Sequence, residues 1–240
     1  MDIVSFSLPR VPMMRRRLRM RHTMLTKSNC DIRCDIGAER SDMSELTRRF
    51  ILREKTSLAH ARVDALVGTF ERREDYTRYI RGMAKFRLPV EHRLDLSRWP
   101  EAWGPWRPRM IGHVLRQDLL DLGLPDVEPA AALPKMRTEA ELLGTLYVLL
   151  GSNLGAQILQ KRANAIGLSD CHGARHLAVQ ASGLDDWRAF TARLDQVEHI
   201  DIEATIEASL ATFREAELAF GASAPTSAAH ARPERLADAV

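Results

Sequence analysis

Apolar residues recur along most of the chain every three or four positions, the spacing of one face of an α-helix. No segment shows the strict alternation of apolar and polar residues that is typical of a β-strand. The pattern therefore predicts an all-α, single-domain helical bundle. Its helices are expected over residues 44–68, 74–86, 109–123, 137–166, 173–180, 185–196 and 201–220.

Proline, glycine and tryptophan interrupt this pattern in two places. Pro89 is expected to stop the second helix, because proline lacks a backbone N–H and clashes with the preceding turn. Residues 99–108 are too rich in proline, glycine and tryptophan for regular structure. The stretch 137–166, by contrast, is apolar nearly all round in its middle, which predicts one continuous helix through the core.

Composition sets the limits of the domain. The chain has 240 residues, of which 45% are apolar and 28% charged, as in one soluble domain with a sizeable core. Residues 1–43 show no sustained periodicity and are interpreted as a disordered leader, with Met43 as an alternative start. The domain spans residues 44–221, and the Ala-, Ser- and Pro-rich residues 222–240 are expected to be a disordered tail.

Charge and cysteine content narrow the function classes. The formal charge is +3, and the basic run Arg15–Arg21 falls in the leader without any recognition-helix pattern, so nucleic-acid binding is not predicted. No uncharged apolar run is long enough for a bilayer, which predicts no membrane insertion. The three cysteines Cys30, Cys34 and Cys171 cannot build a disulfide framework, which favours a reduced, cytoplasmic protein.

The first candidate for chemistry is His60, in the middle of the first helix. It shares a side of that helix with Thr56 and Val63, so it is either a satisfied core histidine or a ligand, and the pattern alone favours the core. Neutral imidazole is, however, the common protein ligand of heme iron. Arg53, two turns earlier on the same side, could reach a carboxylate roughly 10 Å from such an iron.

The second candidate is the pair Gly151 and Gly155, inside the long helix. Each costs about 1 kcal/mol relative to alanine, and one turn apart they leave the backbone bare. Close packing of two helices is one explanation, and a flat ligand lying on the backbone is the other. Gly144, two turns before Gly151, is another glycine inside the same predicted helix.

These two features, in this order along the chain, resemble heme oxygenases. Arg53-Glu-Lys-Thr-Ser-Leu-Ala-His60-Ala-Arg-Val-Asp64 is similar to the segment of the family that carries the axial histidine. Leu146-Tyr147-Val-Leu-Leu-Gly151-Ser-Asn-Leu-Gly155-Ala is similar to the distal-helix segment of the Gram-negative bacterial branch. Gly173-Ala-Arg175-His176-Leu-Ala178 matches that branch again, and the resemblance extends from about Leu46 to Phe220.

The resemblance implies oxidative cleavage of heme to biliverdin, carbon monoxide and ferrous iron. Heme is then both cofactor and substrate, O2 is the oxidant, and a ferredoxin or reductase supplies electrons. The family assigns His60 as axial ligand and bare backbone to the opposite side of the heme. The remaining implied site residues are Gly151 and Gly155 on the backbone, Ser152 and Asn153 near the distal water, Arg53, Tyr147, Lys161 and Arg162 at the propionates, and Phe213 as a pocket aromatic.

Some positions depart from the branch. Leu150 stands where many bacterial relatives have Glu, and Met83 and Arg87 stand where relatives place polar residues on the second helix. Because of these departures, the sequence does not indicate which residues deliver protons to the distal side. The alternatives are a non-catalytic heme-binding, storage or sensing protein of the same fold, and a helical scaffold without pigment. The product could serve iron acquisition or a biliverdin acceptor such as a bacteriophytochrome.

Overall fold

The computed structural model describes residues 47–127 and 135–223, all within one unit of the chain, Glu45–Val240. The predicted leader with Cys30 and Cys34, and the predicted tail beyond residue 223, lie outside the described residues. Within the described part the only regular structure is helical. The helices are α1 Arg48–Val67, α2 Arg73–Asp95, α3 Gly112–Asp121, α4 Glu139–Gly151, α5 Asn153–Ala165, α6 Arg175–Ala181, α7 Leu184–Gln196 and α8 Ile202–Gly221.

The core forms around α8, which packs against α1, α2 and α4. Helix α4 is buried on nearly all sides, as its apolar composition predicts. Gly144 allows the close approach of α4 to α8, because a Cβ placed on it would lie 2.7 Å from the backbone nitrogen of Ser209. The predicted all-α class is confirmed.

The long helix predicted over 137–166 is wrong in one respect, because it breaks at Ser152 into α4 and α5. The backbone carbonyl of Leu149 accepts from the Ser152 hydroxyl at 2.7 Å and from the guanidinium of Arg87 at 3.1 Å. These side-chain donors compete for the carbonyl, which explains why the helix does not continue unbroken.

Pro89 does not stop α2, which continues to Asp95. The turn around it is held by tertiary contacts. Arg87 and Glu91 pair in the interior at 2.6 Å, and the Glu91 carboxylate accepts from the backbone N–H groups of Ile111 and Gly112 at 3.0 and 2.8 Å. Packing of this kind routinely overrides local propensity.

Residues 99–108 contain a single 3-10 turn, Glu101–Trp103, and are otherwise irregular, as predicted. The tryptophans of this segment pack edge to face. Arg107 lies 4.4 Å over the Trp99 ring within the segment, and Arg193 of α7 lies 4.4 Å over the Trp106 ring, a cation–π contact that holds the segment against α7.

The combined stretch Glu139–Ala165 is long and apolar enough, by length and composition alone, to cross a membrane. The sequence prediction of no membrane insertion did not account for this stretch, because it contains charged residues near its ends. In the bundle 61% of its most apolar window is buried. A core helix of a folded domain has this composition, so the stretch is assigned to the core.

Candidate functional site

His60 is not a core residue. Its side chain is 60% exposed on α1, and its Nδ1 lies 2.9 Å from the Oδ2 of Asp64, one turn later. The hydrogen bond and charge of Asp64 raise the pKa of His60, although partial burial and Arg53 oppose this. The interpretation of His60 as a satisfied core histidine is therefore wrong, and the Asp64 contact leaves Nε2 available to a ligand.

Phe213 of α8 supports the His60 ring from behind. The two ring centroids are 5.9 Å apart with the planes at 68°, an edge-to-face contact. Phe213 itself is buried. Together with Asp64 it fixes the orientation of the imidazole on the surface of α1.

Gly155 faces open space. A Cβ placed on it would meet no described atom within 4 Å beyond its chain neighbours and its own helix backbone, and one on Gly151 would only touch Trp187 at 3.8 Å. Close helix packing, one of the two explanations of this pair, therefore does not hold. It does hold for Gly144, which packs against α8 and leaves no bare surface.

Apolar side chains flank the bare backbone of α5. Leu154 is 54% exposed and Ile158, one turn later, is 37% exposed. Large exposed apolar side chains beside a residue without a side chain form a flat, apolar surface. Such a surface suits a planar apolar ligand.

Contacts at two points tie α1 to the α4–α5 pair. At one end the Tyr147 hydroxyl lies near Thr56 and Arg53, and burial raises the pKa of Tyr147 although these two neighbours oppose it. At the other end Arg162 donates to the backbone carbonyl of Gly68 at 3.3 Å. His60 lies between these ties on α1, and residues 151–158 lie between them on the other side. We call the space between the two stretches the α1–α5 cleft.

The cationic side chains predicted for carboxylate binding differ in what they contact. Arg53 and Lys161 are exposed and form no ion pair with a described residue, so both are free to bind an anion. Arg162 is partly buried and already donates to Gly68. The structure therefore offers cations at both ends of the cleft, where an amphipathic planar ligand could place carboxylates.

Ser152 and Asn153 at the helix break have different surroundings. Ser152 is partly exposed next to the bare glycines, and its hydroxyl accepts from the side-chain amide of Gln180 at 3.0 Å. Asn153 is buried, and its amide donates to the carbonyl of Gly183 at 3.3 Å. Ser152 thus borders the cleft, whereas Asn153 ties α5 to the turn before α7.

Three contributors to this site were not predicted from the sequence: Asp64, Gln180 and the Arg87–Glu91 pair. The spacing of four residues from His60 to Asp64 was a usable signal, since such pairs meet on one helix face. The same spacing joins Arg87 to Glu91, although nothing in the sequence says that this pair is buried. Gln180 is distant from Ser152 in sequence, and the two residues meet only because the fold brings α6 next to the helix break.

No cluster of His, Cys, Asp and Glu within the described residues could hold a bare metal ion. The cleft suits a planar ligand that carries its own metal better than a bare metal ion. It offers a free imidazole nitrogen, a bare apolar wall and cations at its ends.

No family model matches the chain. Among curated proteins it is similar to heme oxygenase PigA of Pseudomonas aeruginosa, with 32% identity over 148 residues, which cover 60% of this chain and 75% of that protein. It is also similar to a heme oxygenase of Xanthomonas campestris pv. campestris, with 32% identity over 120 residues covering 45% of this chain and 70% of that protein. Among solved structures, the NO- and CO-bound heme oxygenase of Neisseria meningitidis matches with a TM-score of 0.58 and 25% identity, covering 74% of this chain and 92% of that one.

Proposed function

This chain belongs to the heme oxygenase family, and on that premise we propose that it cleaves heme within the α1–α5 cleft, with His60 as the ligand of the iron. The products are biliverdin, carbon monoxide and ferrous iron. The observation that carries the proposal is an exposed imidazole on α1, with Nε2 free, together with the bare, exposed backbone of Gly155 on α5.

Each side of the cleft has a defined task. Asp64 accepts from Nδ1 of His60 and so favours the tautomer whose Nε2 lone pair binds iron. Phe213 keeps the ring upright. On the opposite wall Gly151 and Gly155 exclude side chains, and Leu154 and Ile158 cover apolar ring edges.

Arg53, Tyr147, Lys161 and Arg162 are the proposed propionate contacts. The two propionates leave one edge of the heme, so the pair Arg53 and Tyr147 and the pair Lys161 and Arg162 are alternative ends for them. The free cations, Arg53 and Lys161, provide the stronger attraction at each end. The end that binds the propionates sets the rotation of the ring in its plane. Ser152 is the proposed anchor of distal water, and the buried Asn153 supports it through α5.

Heme, when bound, supplies the iron that takes up O2 and the ring that is opened. We propose that an external donor, a ferredoxin or a flavoprotein reductase, supplies the electrons. We further propose that the reaction takes place in the cytoplasm. Biliverdin then passes to an acceptor such as a bacteriophytochrome or is discarded after iron acquisition.

The test is a hemin titration of the purified protein, followed by ascorbate or a ferredoxin–reductase system in air. We expect a Soret band that decays as a broad red biliverdin band grows. His60→Ala should weaken hemin binding and reduce turnover at least about 100-fold, since the iron loses its protein ligand. His113→Ala, which removes an exposed histidine of α3, is the matched control and should behave as wild type.

A Soret band that persists under reductant and oxygen would identify a heme-binding protein without turnover and would contradict the proposal. Equal hemin affinity of the His60→Ala and His113→Ala variants would remove His60 from the site.

A further inference from the structure

Gln180 of α6 has an unusual environment behind the helix break. Its side chain is 2% exposed, and its Nε2 donates to the Ser152 hydroxyl at 3.0 Å. Its Oε1 is buried and has no hydrogen-bond partner among the described residues. A buried amide oxygen without a partner costs about 1–3 kcal/mol, so a glutamine here requires an explanation.

The orientation of the amide follows from counting hydrogens. The Ser152 hydroxyl has one hydrogen, which it donates to the Leu149 carbonyl at 2.7 Å. It must therefore accept from Gln180, so the NH2 group faces Ser152 and the oxygen is the group without a partner. The reversed amide would present an oxygen to a hydroxyl whose hydrogen is already used.

The Leu149 carbonyl keeps the Ser152 hydrogen in place. It accepts from Arg87 at 3.1 Å as well, so both of its lone pairs are engaged. Ser152 therefore has one lone pair left and no hydrogen to give toward the cleft. Gln180 Oε1 is buried and does not reach the surface.

The two α2 positions where relatives place polar residues, Met83 and Arg87, provide no free acceptor. Met83 is apolar and buried, and Arg87 is 2% exposed and committed to Glu91 and Leu149. Two ion pairs flank this region, Arg87 with Glu91 and Arg109 with Asp186 at 2.9 Å. The remaining lone pair of Ser152, a partly exposed residue, is the neutral acceptor through which Gln180 can act on solvent.

We propose that Gln180 is a positioning residue of the distal face, which acts through Ser152 to hold solvent by its hydrogens. A neutral acceptor favours water, which has two hydrogens to donate, over hydroxide, which has one. Gln180 from α6 thereby takes the part that a polar side chain on α2 would otherwise play. The inference rests on the proposed function, since it assigns solvent to the heme side of the cleft.

The test is a spectrophotometric pH titration of the ferric heme complex, which reports its acid–alkaline transition. Gln180→Met keeps the volume but removes both amide groups, so we expect the transition to move down by about half a pH unit or more, as the loss of one hydrogen bond predicts. Thr145→Val removes a buried hydroxyl that pairs with Thr212 at 3.3 Å elsewhere on α4, and it should not move the transition.

A double-mutant cycle separates positioning from general packing. If Gln180 acts through Ser152, Ser152→Ala should shift the transition in the same direction, and adding Gln180→Met should change it little further. Should Gln180→Met fail to fold, Gln180→Asn retains the amide but is too short to reach Ser152, and the same downward shift is expected.

An unmoved transition in the Gln180 variants, or fully additive shifts with Ser152→Ala, would overturn the inference. Failure of the proposed function is a distinct result, since the wild-type protein would then show no Soret band or no turnover.

Discussion

At the scale of single residues, the site depends on the hydrogen bond from His60 to Asp64. It raises the pKa of His60 above its ordinary value and so favours the protonated imidazole in the protein without heme. The stability that this pair contributes is present in full below the pKa of an unfolded histidine. It is lost as the pH rises through the raised pKa of the folded protein.

Asp64→Asn should shift the pH dependence of heme binding. Protonation of Nε2 competes with iron, so hemin affinity falls as the pH drops below the pKa of His60. The variant should bring that pKa down and move the loss of affinity to lower pH, while affinity at high pH weakens because the ring is less well oriented. Hemin titrations across pH, with an NMR titration of His60, measure both. An unchanged midpoint would show that Asp64 does not control His60.

Gly155 and Gly144 should respond in opposite ways to alanine. Gly155→Ala adds a methyl group in open space, so it should leave unfolding unchanged or stabilise the protein by up to about 1 kcal/mol while reducing hemin affinity. Gly144→Ala forces a methyl group against the backbone of α8 and should cost about 1–3 kcal/mol. Urea unfolding and hemin titration separate the two effects, and equal destabilisation by both would contradict the assignment of an open face to Gly155.

The sequence indicated His60 and the two cleft glycines, because a histidine within a helical pattern and glycines within another conflict with plain bundle packing. It could not tell which glycine packs and which is bare, since that depends on what lies opposite. Gly144 meets α8 and Gly155 meets open space, yet both look alike along the chain.

At the scale of helices, the break at Ser152 and the continuation of α2 through Pro89 are linked. Arg87, two residues before Pro89, reaches the Leu149 carbonyl at the break, and Glu91, two residues after it, holds the start of α3. The two departures from the predicted helix boundaries thus occur in elements joined by one buried ion pair. Sequence propensity is local and contains no information on such a pair.

Arg87→Met should be strongly destabilising, by about 3–5 kcal/mol, because it leaves Glu91 charged and buried without its cation. The double variant Arg87→Met, Glu91→Gln should be more stable than the sum of the single changes predicts, since the uncompensated charge is gone. Urea unfolding of the two single variants and the double variant gives the coupling energy. Additive losses would show that the pair does not act as a unit.

At the scale of the whole molecule, the helical class was predictable because the 3.6-residue period is strong and no alternating segment competes with it. The cleft was not, since it depends on which helices pack around α8 and which remain apart. Helices α1 and α5 carry its two walls, which are bounded by Tyr147 of α4 near Thr56 and by the hydrogen bond from Arg162 of α5 to Gly68.

Hemin should therefore stabilise the whole bundle by joining these walls. A ligand at 100 times its dissociation constant adds about 2.7 kcal/mol to the free energy of unfolding if it binds the folded state alone. We expect a clear rise in Tm with hemin for the wild-type protein and a much smaller one for His60→Ala. The same rise in both would place the stabilising heme outside the cleft.

The exposed edge of the cleft bears on how substrate and product exchange. Because His60, Leu154 and Ile158 are open to solvent, a flat molecule enters edge-on without any helix leaving its neighbours. We expect the association of heme to be limited by diffusion. Its dissociation rate then depends on the bonds that it forms in the cleft, including the one to His60. A linear tetrapyrrole that has lost its iron has no coordinate bond to His60. The product should therefore dissociate faster than the heme from which it is formed.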